Sequence, residues 1–191
     1  MKTPRTRTRM APAARRAQIV ETATRLVSEQ GFNTFNLSQV AAESGITRAG
    51  VEHHFGTKEA VLIEILRHRD EVDEVIAAPG GALPTDEAGV WRALDEQVRR
   101  NAERREIVQL YAILGAEALD PSHPAHDFFA RRATVGRVTI ADAARPWHPH
   151  PEGFAVEVLA IMDGLQLQWL RDPDLDLVAL WRNASVLLVR R

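Results

Sequence analysis

The 191-residue sequence has no cysteine, which removes disulfides, thiol nucleophiles and cysteine-ligated zinc from consideration. No apolar run approaches the roughly 18 residues a membrane span requires. The basic N-terminus, MKTPRTRTRMAPAARR, lacks the apolar centre of a secretory signal. Sustained period-two alternation is missing, so no sheet is expected, and no internal repeat is visible. The motifs of the common enzyme classes are also absent: no G-x-S-x-G, no P-loop, no G-x-G-x-x-G after a strand and no H-E-x-x-H. What remains is an ordinary composition, 45% hydrophobic and 26% charged. The expectation is a soluble, cytoplasmic, non-enzymatic protein with no cofactor, no metal and no membrane partner.

The small net charge of −2 hides an asymmetry. Residues 1–59 hold nine Lys or Arg against five acids, a surplus of +4, while the remainder holds 15 bases against 21 acids. A basic head on an acidic body suits polyanion binding by the head. Residues 1–11 read as a disordered basic arm. Residues 12–57 read as one helical domain and 58–191 as a second. Helices are expected over about 12–30, 58–77, 86–101, 104–119, 124–144, 151–171 and 174–190. The breaks are APGGALPTDEAG, DPSHP, RPWHPHPEG and DPD.

Between the first and second of these lies NLSQVAAESGITRAGVEHHF, Asn36 to Phe55, read as two short helices joined by a tight turn. Asn36 caps the first with Gln39 as its capping-box partner. Ala41 is small enough for a second helix to cross closely. Gly45 suits a left-handed exit. Thr47 caps the second helix, whose Val51 and Phe55 return to the core. This is the helix-turn-helix pattern. Its second helix, Thr47 to His54, should enter the major groove. Arg48 either reads guanine O6 and N7 or contacts phosphate. Ala49 and Gly50 permit close approach to base edges. His53 and His54 are phosphate donors, unless one braces the helix. Lys58 at a helix N-terminus is a phosphate anchor, and Thr34, Asn36 and Ser38 are candidate backbone contacts. Arg5, Arg7 and Arg9 either enter a minor groove or form a free tail.

Together with Ile19 and Val20, the Gly31–Phe32 corner and HHFGTKEAVL, this stretch strongly resembles the N-terminal domain of the TetR family over about residues 12–66. These are bacterial, ligand-responsive transcriptional regulators, usually repressors. One position departs from the pattern: family members commonly carry an aromatic or aliphatic residue where this chain has Glu52. An acid there repels phosphate unless it accepts from cytosine N4 or pairs with a nearby base. The resemblance implies an all-α protein: a three-helix DNA-binding domain, then a helical ligand-binding and dimerisation domain. It implies double-stranded operator DNA, a small-molecule effector and a second copy of the chain as partners.

In the last two helices, two apolar stripes are candidate dimer faces or, alternatively, intramolecular core. The first comprises Phe154, Val158, Ile161, Leu165, Gln168 and Trp169, with Gly164 permitting close approach. Leu177, Leu180, Trp181, Ala184, Leu187 and Leu188 form the second. Candidate effector-pocket residues are Trp91, Leu94, Tyr111, Leu114, Phe128, Phe129, Met162, Gln166 and Trp169, each with a core role as its alternative. Glu117 would meet a polar group of the ligand or lie on the surface. The apolar bias suggests a hydrophobic or amphipathic effector. Two rival readings are a ligand-independent architectural or adaptor DNA-binding protein and a small metal-dependent enzyme. The second would need His123, His126, Asp127, His148 and His150, which sit in loops at no firm ligand spacing.

Overall fold

The structure, a computed structural model, describes residues 10–77 and 83–189, with backbone alone for 69–77 and 189. All regular structure among the described residues is helical, in nine segments: α1 Pro12–Thr34, α2 Leu37–Glu43, α3 Arg48–Phe55, α4 Lys58–Ala77, α5 Glu87–Ala102, α6 Arg105–Glu117, α7 His126–Ala144, α8 Pro151–Arg171 and α9 Leu177–Val189. The chain divides into two compact units, residues 1–66 and 67–191. The boundary expected after residue 57 therefore falls nine residues later. The reason is packing: Val61, Leu62, Ile65 and Leu66 at the start of α4 are all buried.

In the first unit α1 opens with proline, which loses no helical hydrogen bond there. Its buried stripe is Ile19, Ala23, Leu26 and Val27. The helix was expected to end at Gln30, yet helical backbone resumes after Gly31 and runs to Thr34. Gly31 itself is non-helical (φ 77°, ψ 165°), a kink open mainly to glycine. The redirected turn buries Phe32 and Phe35, with ring centroids 6.3 Å apart.

Asn36 then starts α2 with the full reciprocal cap. Its Oδ1 accepts from the Ser38 and Gln39 N–H groups at 3.1 Å each, and Gln39 Oε1 accepts from the Asn36 N–H at 3.3 Å. At the far end Gly45 adopts φ +64°. The Ile46 N–H returns to the Ala41 carbonyl at 3.0 Å. Val40, Ala41 and Val51 close the contact between α2 and α3.

The second unit packs α5 to α9 around Val90, Leu94, Val98, Val108, Ile140, Phe154, Val158 and Trp181. Helices α7 and α8 approach through small residues. Ala141, Ala144 and Ala155 are buried, and a Cβ on Gly136 would touch Leu159 at 3.7 Å. The buried Trp181 donates its Nε1–H to Asp95 at 2.7 Å. Arg105 stacks over Trp169 at 4.5 Å and donates to the Trp169 and Leu170 carbonyls, placing a cation at the negative end of α8. Residues 1–9, most of the expected basic arm, lie outside the described residues, as do residues 78–82 of the glycine-rich loop and the side chains of Val72 and Ile76.

Gly45 has open space around a built Cβ, so only backbone conformation opposes a side chain there. Gly45→Ala should cost about 1–2 kcal/mol through left-handed strain, read as an earlier urea midpoint of the helical signal at unchanged slope.

Candidate functional site

Helix α3 carries the candidate DNA-reading residues. Its N-cap is Thr47, whose Oγ1 accepts from the Gly50 N–H at 3.1 Å. The cap fixes where the helix starts and makes Arg48 its first residue. Val51 is fully buried and pins one face. Arg48, Ala49 and His53 are exposed on the other, with Gly50 and Glu52 partly exposed. A Cβ on Gly50 would meet only Thr47 and Ile46, at 3.4–3.6 Å. The nearest neighbours of that position thus belong to the cap and the preceding turn, and none to another packed helix.

Several of the expected backbone contacts have internal duties. Asn36 Oδ1 holds the α2 cap, and its Nδ2 donates to Gln39 Oε1 at 2.9 Å. Lys58 turns inward: its ammonium donates to the Asn33 carbonyl at 3.2 Å and lies 4.4 Å from the Phe32 ring centroid. That bracing ties the start of α4 to the corner at the end of α1. Thr34 and Ser38 are exposed. Of the two histidines, His54 is the half-buried one, and its carbonyl accepts from Arg16 at 2.8 Å.

Arg16 was not singled out from sequence, because its partners are remote in the chain. It also pairs with Glu64 at 3.3 Å and lies 4.2 Å over Phe55. Arg15 reaches the Ser44 carbonyl at 3.1 Å. Arg25 bridges Glu29 and Glu43; hydrogen bonding to Glu29 and the charges of both acids hold its guanidinium above its usual range. Residues 10–59 contain five bases and five acids. The whole basic surplus of the head is thus Lys2, Arg5, Arg7 and Arg9.

In the second unit the expected pocket residues separate. Leu94 and Leu114 are core, and Met162 is nearly so. Tyr111, Phe128 and Phe129 form a second aromatic cluster, edge to face at 5.8 and 5.2 Å, with Arg132 4.7 Å over Tyr111. Glu117 approaches the buried His123 ring at 3.9 Å. Trp169 lies under Arg105, and Gln166 is half-buried beside it on α8. Trp91 alone of the expected set lines a cleft of about 140 Å³, together with Glu87, Trp147, His148, Pro149, Phe154 and Leu188. Trp91 and Trp147 each stand edge to face on Phe154, at 5.5 and 5.3 Å. Trp91 Nε1 is buried with no hydrogen-bond partner.

The expected dimer stripes are corrected in part. Phe154, Val158, Trp169, Leu177, Trp181 and Leu188 are buried within their own unit, because α5 and α7 cover that side of the hairpin. Ile161, Leu165, Leu180 and Ala184 are half-buried, while Gly164, Gln168 and Leu187 are exposed. The apolar surface left open consists of Val156, Ala160, Gly164 and Leu167 on α8, and Ala179, Val186 and Leu187 on α9. Desolvation raises the Asp163 carboxyl above its usual range, with Arg132 opposing. Among the described residues no three His, Asp or Glu groups are placed to hold a metal. His123 Nδ1 accepts from the Ala125 N–H and His126 Nδ1 meets the Ala118 carbonyl, both within their own loop. No described helix is long and apolar enough to cross a membrane.

A capped, outward-facing second helix on a glycine turn defines a helix-turn-helix DNA-binding protein. Residues 19–65 match the family described as "Bacterial regulatory proteins, tetR family". The chain is 27% identical over 146 residues to the HTH-type transcriptional regulator BetI of Rhizobium meliloti, covering 61% of this chain and 70% of that protein. It is 26% identical over 119 residues to BetI of Agrobacterium fabrum, covering 51% and 58%. Solved structures share the fold along nearly the whole chain. A transcriptional regulator from Rhodococcus sp. Rha1 aligns with TM-score 0.74 at 19% identity, over 92% of this chain and 96% of that one. A regulator from Saccharomonospora viridis, in complex with choline, aligns at 0.71 and 19%, over 93% and 96%. Over residues 19–65 the chain carries the DNA-binding domain of the TetR family of bacterial regulatory proteins.

Because residues 10–59 carry equal numbers of bases and acids, removing residues 1–9 should take away the four surplus charges available to neutralise phosphate. The slope of log K against log salt for duplex binding should flatten by up to about 3.6. An unchanged slope in a fluorescence-anisotropy titration would show that the arm makes no phosphate contacts.

Proposed function

We propose that the protein is a homodimeric repressor whose grip on operator DNA is released by a small amphipathic cation. The observation that carries the DNA-binding half is α3. It is capped by Thr47, pinned by Val51, and presents Arg48, Ala49 and Gly50 on its open side. One such helix makes few base contacts, so a paired arrangement over two half-sites is needed for useful affinity. The open apolar stripe on α8 and α9 supports self-association as a four-helix contact. Leu187→Asp should then convert the dimer to monomer in sedimentation equilibrium and weaken operator binding more than tenfold. A variant that stays dimeric would move the interface elsewhere.

The effector reading rests on the α5–α8 cleft. Tryptophan faces attract a positive centre, and Glu87 adds a carboxylate. The unpartnered Trp91 Nε1–H offers a donor to a ligand oxygen. Its volume of about 140 Å³ lies below the roughly 300 Å³ at which pockets for drug-sized ligands begin, which restricts the ligand to a few heavy atoms. The choline-bound structural neighbour supports the same chemistry. Helix α4 belongs to both units as one continuous element from Lys58 to Ala77. A ligand that favours one arrangement of the body shifts the population of DNA-competent heads only by its differential affinity.

The test is a titration of choline into the protein bound to labelled DNA from upstream of its own gene. Release, accompanied by a change in tryptophan fluorescence and lost in Trp91→Ala without loss of operator binding, is the expected result. If millimolar choline changes neither signal, the cationic-effector reading is wrong.

A further inference from the structure

The Arg48–Glu52 pair on α3 does little for the helix and works against general affinity for DNA. Arg48 Nε donates to Glu52 Oε1 at 2.8 Å, and the two side chains are 65% and 41% exposed. A cation at the first position of a helix opposes the helix dipole, and an acid four residues on is the less favourable order of the two. An exposed pair of this kind adds little stability. The carboxylate also lies on the helix meant to approach phosphates, where it weakens attraction to any duplex. Neither helix stability nor general affinity accounts for it.

Geometry does. A guanidinium offers five N–H groups in one plane. With Nε–H engaged by Glu52, the edge left with two parallel donors is the terminal pair, Nη1 and Nη2, and neither has another partner among the described residues. That edge matches O6 and N7 of guanine. The acid also limits the swing of a long side chain that would otherwise settle on phosphate. We infer that Glu52 is a positioning residue for base recognition, holding Arg48 so that its terminal edge reads a guanine in each half-site. This rests on the DNA-binding reading above.

The experiment is selection from a randomised duplex library with the full-length protein, followed by affinity measurements on the enriched site and on its guanine-substituted variants. The wild type should enrich a motif with an invariant guanine. Glu52→Ala should bind scrambled DNA as well as or better than the wild type, yet lose about tenfold in discrimination at that guanine. Glu52→Gln keeps an acceptor oxygen for Nε–H and should restore most of that loss. Arg48→Lys lacks the planar fork and should abolish the preference, with no further loss when Glu52→Ala is added. A Glu52→Ala profile identical to wild type would reduce the pair to a surface ion pair and overturn the inference. So would a loss confined to a cytosine position with the guanine unchanged, since Glu52 would then read a base itself. If the wild type enriches no motif, the DNA-binding reading fails, and this inference with it.

Discussion

The structure of the head depends on one backbone turn. At Gly45 the chain takes a left-handed conformation, and the Ile46 N–H closes back on Ala41. That turn sets the crossing of α2 and α3, and the crossing determines which residues of α3 face outward. Both helices are too short to be stable alone, so their ends must be held. Asn36 and Thr47 do this with side-chain caps, and Val40, Ala41 and Val51 fill the seam. The position of Arg48 at the first residue of α3 is a direct consequence: the Thr47 cap fixes the start of the helix, and the buried Val51 fixes its rotation.

Charge in this protein is arranged for geometry as much as for attraction. Within the folded head, Arg16, Arg25 and Arg48 each have a carboxylate partner, and Lys58 is folded onto Phe32. The four bases by which residues 1–59 exceed their acids all lie ahead of α1 in the sequence, apart from the directed donors of the folded surface. Separating the two favours specificity, since a uniformly basic reading surface would bind any duplex. A similar economy appears in the second unit. Its tryptophans serve packing first: Trp181 is tied to Asp95 and Trp169 lies under Arg105, leaving Trp91 and Trp147 to face the cleft.

Elements whose interactions are local could be read directly from the residues. The capping box, the glycine turn and the start of α3 involve residues three to five apart, so their side-chain types and spacing are sufficient to read them. The helices of the second unit were legible for the same reason, since periodic apolar residues and proline-bearing breaks act within single segments. Which apolar face meets which neighbour depends on long-range packing. Helices α8 and α9 carry apolar residues on more than one side, so periodicity could not tell the side covered by α5 and α7 from the side left open. Phe154 and Trp181 consequently lie inside, and Val156, Leu167 and Leu187 outside. The pocket divided likewise, with Trp91 going to the cleft, Tyr111 to a separate cluster and Leu114 to the core. The roles of Arg16 and Lys58 were equally hidden, because their partners lie 38 and 25 residues away, and a contact at that separation exists only once the chain has folded.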